Sequence, residues 1–268
     1  MKPGIAFAAG AAAGAVFVRE RRARRAAERV AAATLETLLN AIDANDAQTG
    51  AHVRRVATYA LIVADALGLS RRECETLERV ALFHDIGKIH EALFDIIHDQ
   101  DTLSAEDRSA IATHPRRGAT VLTPLCGFYP ELGDAVLSHH ERWDGSGYPR
   151  GLRGRRIPLA ARIVTLADTF DAITHGRRYR DARGARHAAK AIAAGRGTQF
   201  DPELVDLVLL PPVWERIVGA HRLAHRRNAP QPDRREGRRE KPAPQVKFRW
   251  RREAPESLGS PRPSHRPP

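Results

Sequence analysis

Residues 52–67 read HVRRVATYALIVADAL, and residues 70–88 read SRRECETLERVALFHDIGK. In the first stretch Val53, Val56, Ala57, Ala60, Leu61, Ala64 and Leu67 recur at i, i+3, i+4 spacing. That period puts apolar side chains on one face of a helix. Gly68 closes the helix. Ser70 caps the next one, which is predicted to run through Phe83, and Glu73 completes a capping box. The same period extends outward. Arg19 to Ala44 carries a stripe of Val30, Leu35, Leu38, Leu39 and Ile42 with no Pro or Gly. Ser104 to Leu122 opens on a second cap, with Asp107 at its third position. Glu131 to Arg142, Leu159 to Thr174, Ala185 to Ala194 and Asp201 to Leu210 read as further helices. Alternating strand-type runs are scarce, and residues 145–158 read as a Gly/Pro/Arg-rich loop or a small hairpin. The expected fold is an all-α globular domain over residues 34–221, between an N-terminal segment (1–33) and a C-terminal tail (222–268).

Composition narrows the function classes. The chain has 268 residues, two cysteines, 6% aromatic residues and a formal charge of +12. Cys74 and Cys126 cannot staple a fold of this length, so a disulfide scaffold is excluded and a reducing compartment is expected. No apolar run reaches the ~18 residues of a confident membrane span, which excludes a multi-span protein. The charge sits at the ends. Residues 222–268 hold 14 Lys/Arg against 5 Asp/Glu, and residues 1–29 hold 7 against 2. The middle is close to neutral, so the basic balance does not point to nucleic-acid binding by the core. The tail also holds 9 of the 18 prolines. Its apolar residues are too few to offset the entropy of ordering it, and disorder is expected. It reads either as a solvated tail or as an electrostatic tether to an anionic surface.

Residues 5–18, IAFAAGAAAGAVFV, are uncharged and followed by RERRARR. As a helix they would span ~21 Å at 1.5 Å per residue, against a hydrocarbon core of ~30 Å. Three readings stay open: a short anchor with its Arg run on the cytoplasmic side, a signal peptide, or a peripheral Ala-rich helix. A signal peptide fits least, because only Lys2 precedes the apolar run. The anchor reading would hold a cytoplasmic domain at the inner face of the cell membrane.

The residues that carry chemistry are histidines and aspartates. His84 and Asp85 are adjacent in FHDIGK, and His139 and His140 in SHHERWDGSGYP. His114 precedes Pro115, His52 begins its helix, and Asp168 lies in LADTFDA. Each alone reads as an ordinary core or surface residue. Adjacent pairs are harder to place that way, because neighbours on a helix diverge by ~100° and meet only at an object beyond the helix flank or end. Imidazoles and carboxylates suit divalent ions such as Zn, Fe and Mn, and no cysteine is present for a structural thiolate site. So many N/O ligands exceed what one tetrahedral ion needs. They fit two octahedral ions sharing a carboxylate and a water, an arrangement that clamps phosphoryl groups.

In this order and spacing HDIGK, HHERWDGSGYP, LADTFDAITHGRRYR and GTQFDPELV resemble the HD-GYP family of the HD phosphohydrolase superfamily, over roughly residues 34–210. The resemblance implies an HD-domain helical bundle with a GYP loop. It implies a metal-dependent phosphodiesterase that hydrolyses cyclic di-GMP, a bacterial second messenger, to pGpG or GMP through a metal-bridging hydroxide. Position by position, His52, His84, Asp85 and Asp168 match the ligands of a first metal. Asp85 bridges to a second, held also by His114, His139 and His140. Lys88 matches the lysine at the scissile phosphate, and Arg177 and Arg180 match basic residues that hold substrate phosphates. Two transition-metal ions, Fe or Mn, are the expected cofactors. The GYP loop is expected either to pack through Trp143 and Tyr148 or to dock a protein such as a diguanylate cyclase.

The sequence also departs from that pattern. Gln48 stands where some members carry a Glu for a third metal, favouring two. Residues 90–100 lack the family's GIPD and KPG segments, His90 and His98 there are not expected to be ligands, and Arg178 replaces a proline. Competing readings are therefore a nucleotide- or partner-binding module with little turnover, an HD phosphohydrolase for another nucleotide, and, weakest, a nucleic-acid binder driven by the tail.

Overall fold

The computed structural model describes residues 4–89, 104–175 and 184–228. The chain divides into two units, Met1–Pro230 and Gln231–Pro268. The second lies outside the described residues, as do Arg177, Arg180, His90, His98 and the altered stretch 90–100. Ten helices are described: α1 (Gly4–Asn45), α2 (Ala47–Ala66), α3 (Arg71–Phe83), α4 (Ala105–Ile111), α5 (His114–Leu122), α6 (Leu132–Leu137), α7 (Leu159–Thr174), α8 (Ala185–Ala194), α9 (Pro202–Val208) and α10 (Pro211–Asn228). Short 3-10 turns cover Ile86–Ile89, Thr123–Leu125 and Gly154–Arg156. The described residues contain no strand, only one isolated bridge between Arg196 and Phe200. The all-α expectation holds, and residues 145–158 form a loop, not a hairpin.

Helix α2 is the centre of the domain, with α1, α3, α7 and α10 packed on it. Its buried face carries Val53, Val56, Ala57, Tyr59, Ala60, Val63 and Ala64. Small residues at 57, 60 and 64 let neighbouring helices approach closely. Tyr59 meets Phe170 of α7 edge-on, with ring centroids 4.9 Å apart. Asp46 caps α2 by accepting from the Gln48 backbone N–H. Ser70 and Glu73 form the expected capping box on α3, and Ser104 and Asp107 the one on α4.

Several boundaries differ from the sequence reading, each for a local reason. Helix α1 is continuous from Gly4, and its buried stripe is Ala31, Leu35, Leu39 and Ile42. Val30, counted into that stripe, is 66% exposed, one position off the face. The expected helix 104–122 is two helices, because Pro115 has no N–H to give Ile111. The Ile111 carbonyl is taken instead by His114 Nδ1 at 2.6 Å. Helix α6 stops at Leu137, before the predicted Arg142. Helix α10 continues to Asn228, past the expected boundary at 221/222. No described helix is long and apolar enough to cross a membrane. The anchor reading of residues 5–18 therefore finds no support, and the segment forms the start of α1.

Leu35 is fully buried, whereas residues 17–29 of the same helix are largely exposed. Leu35→Ala is expected to cost about 2–5 kcal/mol through the cavity it leaves. Val30→Ala should change stability by less than ~0.5 kcal/mol. Urea unfolding of both variants measures the difference.

Candidate metal centre

The HD turn lies between α3 and the 3-10 turn at Ile86–Ile89. It needs Gly87, because a Cβ there would lie 2.1 Å from the His114 carbonyl oxygen. This close approach brings Asp85 against the first turn of α5. His139 and His140 follow α6, where Ser138 Oγ donates to the Asp134 carbonyl at 2.6 Å. Beyond the helix end the two rings are no longer held to a 100° divergence. Thr165 of α7 donates to the His139 carbonyl at 2.6 Å and fixes the turn from the other side.

The GYP loop is anchored just behind these rings. Glu141 is buried and accepts the backbone N–H groups of Arg150 (2.7 Å) and Leu152 (2.9 Å). Gly147 is required, since a Cβ would lie 2.3 Å from the Arg142 nitrogen. The N–H groups of Trp143 and Asp144 donate to the Gln199 and Thr198 carbonyls, which ties the loop to the turn before α9. Tyr148 stacks on His140 with centroids 4.9 Å apart and planes at 23°.

Six of the sequence-derived candidates converge in two groups that share Asp85. Its Oδ1 lies 3.2 Å from His114 Nε2 and 3.8 Å from His139 Nε2. Its Oδ2 lies 3.5 Å from His84 Nε2 and 3.9 Å from His52 Nε2. His140 completes the first group, whose donor atoms all lie within 4.8 Å of one another, as do those of His52, His84 and Asp85. Asp168 adjoins the second group, its Oδ1 3.3 Å from His52 Nε2 and 4.0 Å from His84 Nε2. Lys88 Nζ donates to Asp85 Oδ2 at 2.6 Å.

Backbone carbonyls set the imidazole tautomers. Nδ1 of His84, His114 and His139 lies 2.8, 2.6 and 2.6 Å from the carbonyls of Ala81, Ile111 and Val136. A carbonyl only accepts, so each Nδ1 carries the proton and each Nε2 turns its lone pair inward. The facing Nε2 atoms of His114 and His139 are 3.1 Å apart. Two lone pairs at that distance repel unless a proton or a cation lies beside both. His84 Nε2 and Asp85 Oδ1 are buried without a hydrogen-bond partner among the described residues. Orphaned acceptors of this kind are costly in an interior. An all-N/O donor set in two clusters sharing one carboxylate fits a pair of divalent ions.

Electrostatics point the same way. Burial holds His84, His139 and His140 below the ordinary imidazole range, His140 at about 3. His140 is lowered further by His114 and Lys88. Burial would raise Asp85, but Lys88, His84 and His114 outweigh it and keep the carboxylate charged. His52 is the exception. Burial lowers it, yet hydrogen bonds and charge from Asp168 and Asp171 lift it to about 9.

Asp171 was not among the candidates read from the sequence. It lies one turn beyond Asp168 on α7, and its Oδ2 accepts His52 Nδ1 at 2.7 Å. Spacing of three in an otherwise Ala-rich helix was the available signal.

Residues 36–204 match the HD domain family model. The chain belongs to the HD domain family. The HD-GYP resemblance of its signature residues stands with that assignment. This HD domain protein is 40% identical over 178 residues to the cyclic di-GMP phosphodiesterase response regulator RpfG of Xanthomonas campestris, covering 66% of this chain and 47% of that one. It is 36% identical over 174 residues to 3'3'-cGAMP-specific phosphodiesterase 2 of Vibrio cholerae, covering 64% and 33%. Among solved structures, a cyclic GMP-AMP specific phosphodiesterase of V. cholerae superposes with a TM-score of 0.52 at 24% identity, over 72% of this chain and 52% of that one. The chain thus spans about half or less of the length of these relatives.

The raised His52 pKa carries a sign. In ion-free protein at pH 7 His52 holds a proton that a cation at Nε2 must displace, so binding there should release a proton. Affinity at that group should rise up to roughly tenfold per pH unit below about 9. Binding at His139 and His140 should vary much less, because both are already neutral. Calorimetric Mn²⁺ titrations in buffers of different ionisation enthalpy count the protons.

Proposed function

We propose that this chain is a metal-dependent phosphodiesterase of cyclic dinucleotides, with cyclic di-GMP as substrate and pGpG or GMP as product. The observation that carries the reading is the division of Asp85. One buried carboxylate turns its two oxygens to two separate sets of imidazoles. Relatives named as cyclic di-GMP and 3'3'-cGAMP phosphodiesterases support the substrate class.

In this reading His52, His84, Asp85 and Asp168 hold one ion and Asp85, His114, His139 and His140 the other, with Fe or Mn the metals proposed. When bound, such a pair lowers the pKa of a water and offsets charge on phosphoryl oxygens. The chain's own residues do the rest. Carbonyl-anchored imidazoles keep their lone pairs aimed inward without rearrangement. Lys88 leaves Asp85 to donate to a non-bridging oxygen of the scissile phosphate, where negative charge builds up. Tyr148, stacked on His140, closes the pocket from the loop side. Arg177 and Arg180 are assigned the distal phosphate, for which a bidentate guanidinium is suited. The exposed edge of the loop at Tyr148 and Arg150 is the surface assigned to a protein partner.

The 268-residue chain reconstituted with Mn²⁺ or Fe²⁺ should linearise cyclic di-GMP, followed by chromatography. His84→Ala and Asp85→Ala should reduce turnover to background, and Lys88→Ala should lower kcat by about 10²–10³-fold. 3'3'-cGAMP run in parallel sets the preference. Binding without turnover in metal-loaded wild-type protein would replace this reading with that of a nucleotide-binding module.

A further inference from the structure

Asp171 is buried, at 1% exposure, and four N–H bonds converge on its carboxylate. His52 Nδ1 lies 2.7 Å from Oδ2. Arg55 grips both oxygens, Nε to Oδ1 and a terminal nitrogen to Oδ2, each at 2.8 Å. His175 Nδ1 lies 3.0 Å from Oδ1. His84, His114 and His139 are each oriented by a carbonyl three residues back on the chain. His52 has no such tie. It is oriented across the fold, from α2 to α7, by a charged acceptor.

The difference follows from where His52 sits. It lies in the second turn of α2, which begins at Ala47 and not at His52 as the sequence suggested, so the carbonyls behind it are used by the helix itself. His84, His114 and His139 stand at helix ends, where carbonyls are spare. A ring within a helix needs an acceptor from another element. Asp171 supplies one on the α7 face that also carries Asp168. Arg55, one turn along α2 from His52, balances its charge, so a full carboxylate is tolerated in the interior.

We infer that Asp171 is the positioning residue of the first metal group, fixing the ring orientation and tautomer of His52 while Arg55 holds the carboxylate in place. Asp171 touches neither ion nor substrate. A carboxylate behind a ligating imidazole raises the basicity of the ligating nitrogen, and loss of such a partner typically weakens metal affinity by roughly 10–100-fold. The inference rests on the metal-centre reading above.

The test is metal affinity, read by competition with a chromophoric chelator on the 268-residue chain with Mn²⁺ or Zn²⁺. Wild-type protein should bind two ions. Asp171→Asn should bind one of them roughly 10–100-fold more weakly and leave the other unchanged. His175→Gln removes a different donor from the same carboxylate and should leave both affinities unchanged. A merely structural carboxylate would instead shift unfolding in both variants and spare affinity in both, which would overturn the inference. A second measurement needs no Asp171 variant. In zinc-loaded wild-type protein the His52 Nδ1 proton should give a slowly exchanging downfield imidazole resonance, assigned by its loss in His52→Gln. A His52 proton exchanging as fast as that of an exposed imidazole would also overturn it. Wild-type protein that takes up no divalent ion would sink the metal-centre reading and this inference together. Two ions held with wild-type affinity by Asp171→Asn would sink this inference alone.

Discussion

The structure depends on keeping the Asp85 carboxylate charged in the interior. A carboxylate without water is tolerated only when cations or donors surround it. Here Lys88 donates to one oxygen, and imidazoles stand on both sides. Those imidazoles come from α2, the end of α3, the start of α5 and the turn after α6. The need to serve one buried charge therefore fixes the relative placement of four elements. Gly87 is part of the same constraint, because the HD turn and α5 meet there at backbone contact distance.

Around that charge the fold separates orientation from packing. Apolar faces of α1, α3, α7 and α10 assemble on α2 by burial, which is non-directional. Direction comes from single polar ties: carbonyls to Nδ1 atoms, Thr165 to the His139 carbonyl, Glu141 to two loop amides. The GYP loop illustrates the division. It is held by hydrogen bonds to the turn before α9, which the Arg162–Asp201 ion pair ties to α7.

Much of this was legible in the sequence. The apolar period located α2, α3 and α7, and the caps at Ser70 and Ser104 marked real helix starts. The adjacent His–Asp and His–His pairs marked residues that the structure brings together at element ends. Other features were less legible. The Val30 reading slipped because a long Ala-rich helix gives a weak apolar face, so one residue of drift is not penalised. The break before α5 had a signal in Pro115, but capping at Ser104 suggested continuity. The end of α6 depends on Ser138 turning back on Asp134, which periodicity does not encode. Asp171 was missed because its function exists only across the fold, in contact with a ring 119 positions earlier.

That span has a thermodynamic consequence. His52 and Asp168 lie 116 positions apart in the sequence and adjoin in space at 3.3 Å. An ion held by both would act as a clasp on that span, because the extended polymer cannot offer the two ligands together. A ligand that binds only the folded form stabilises it by about 2.7 kcal/mol at a hundredfold excess over its dissociation constant. Under the proposed function, cation supply would bear on how long the domain survives as well as on what it does.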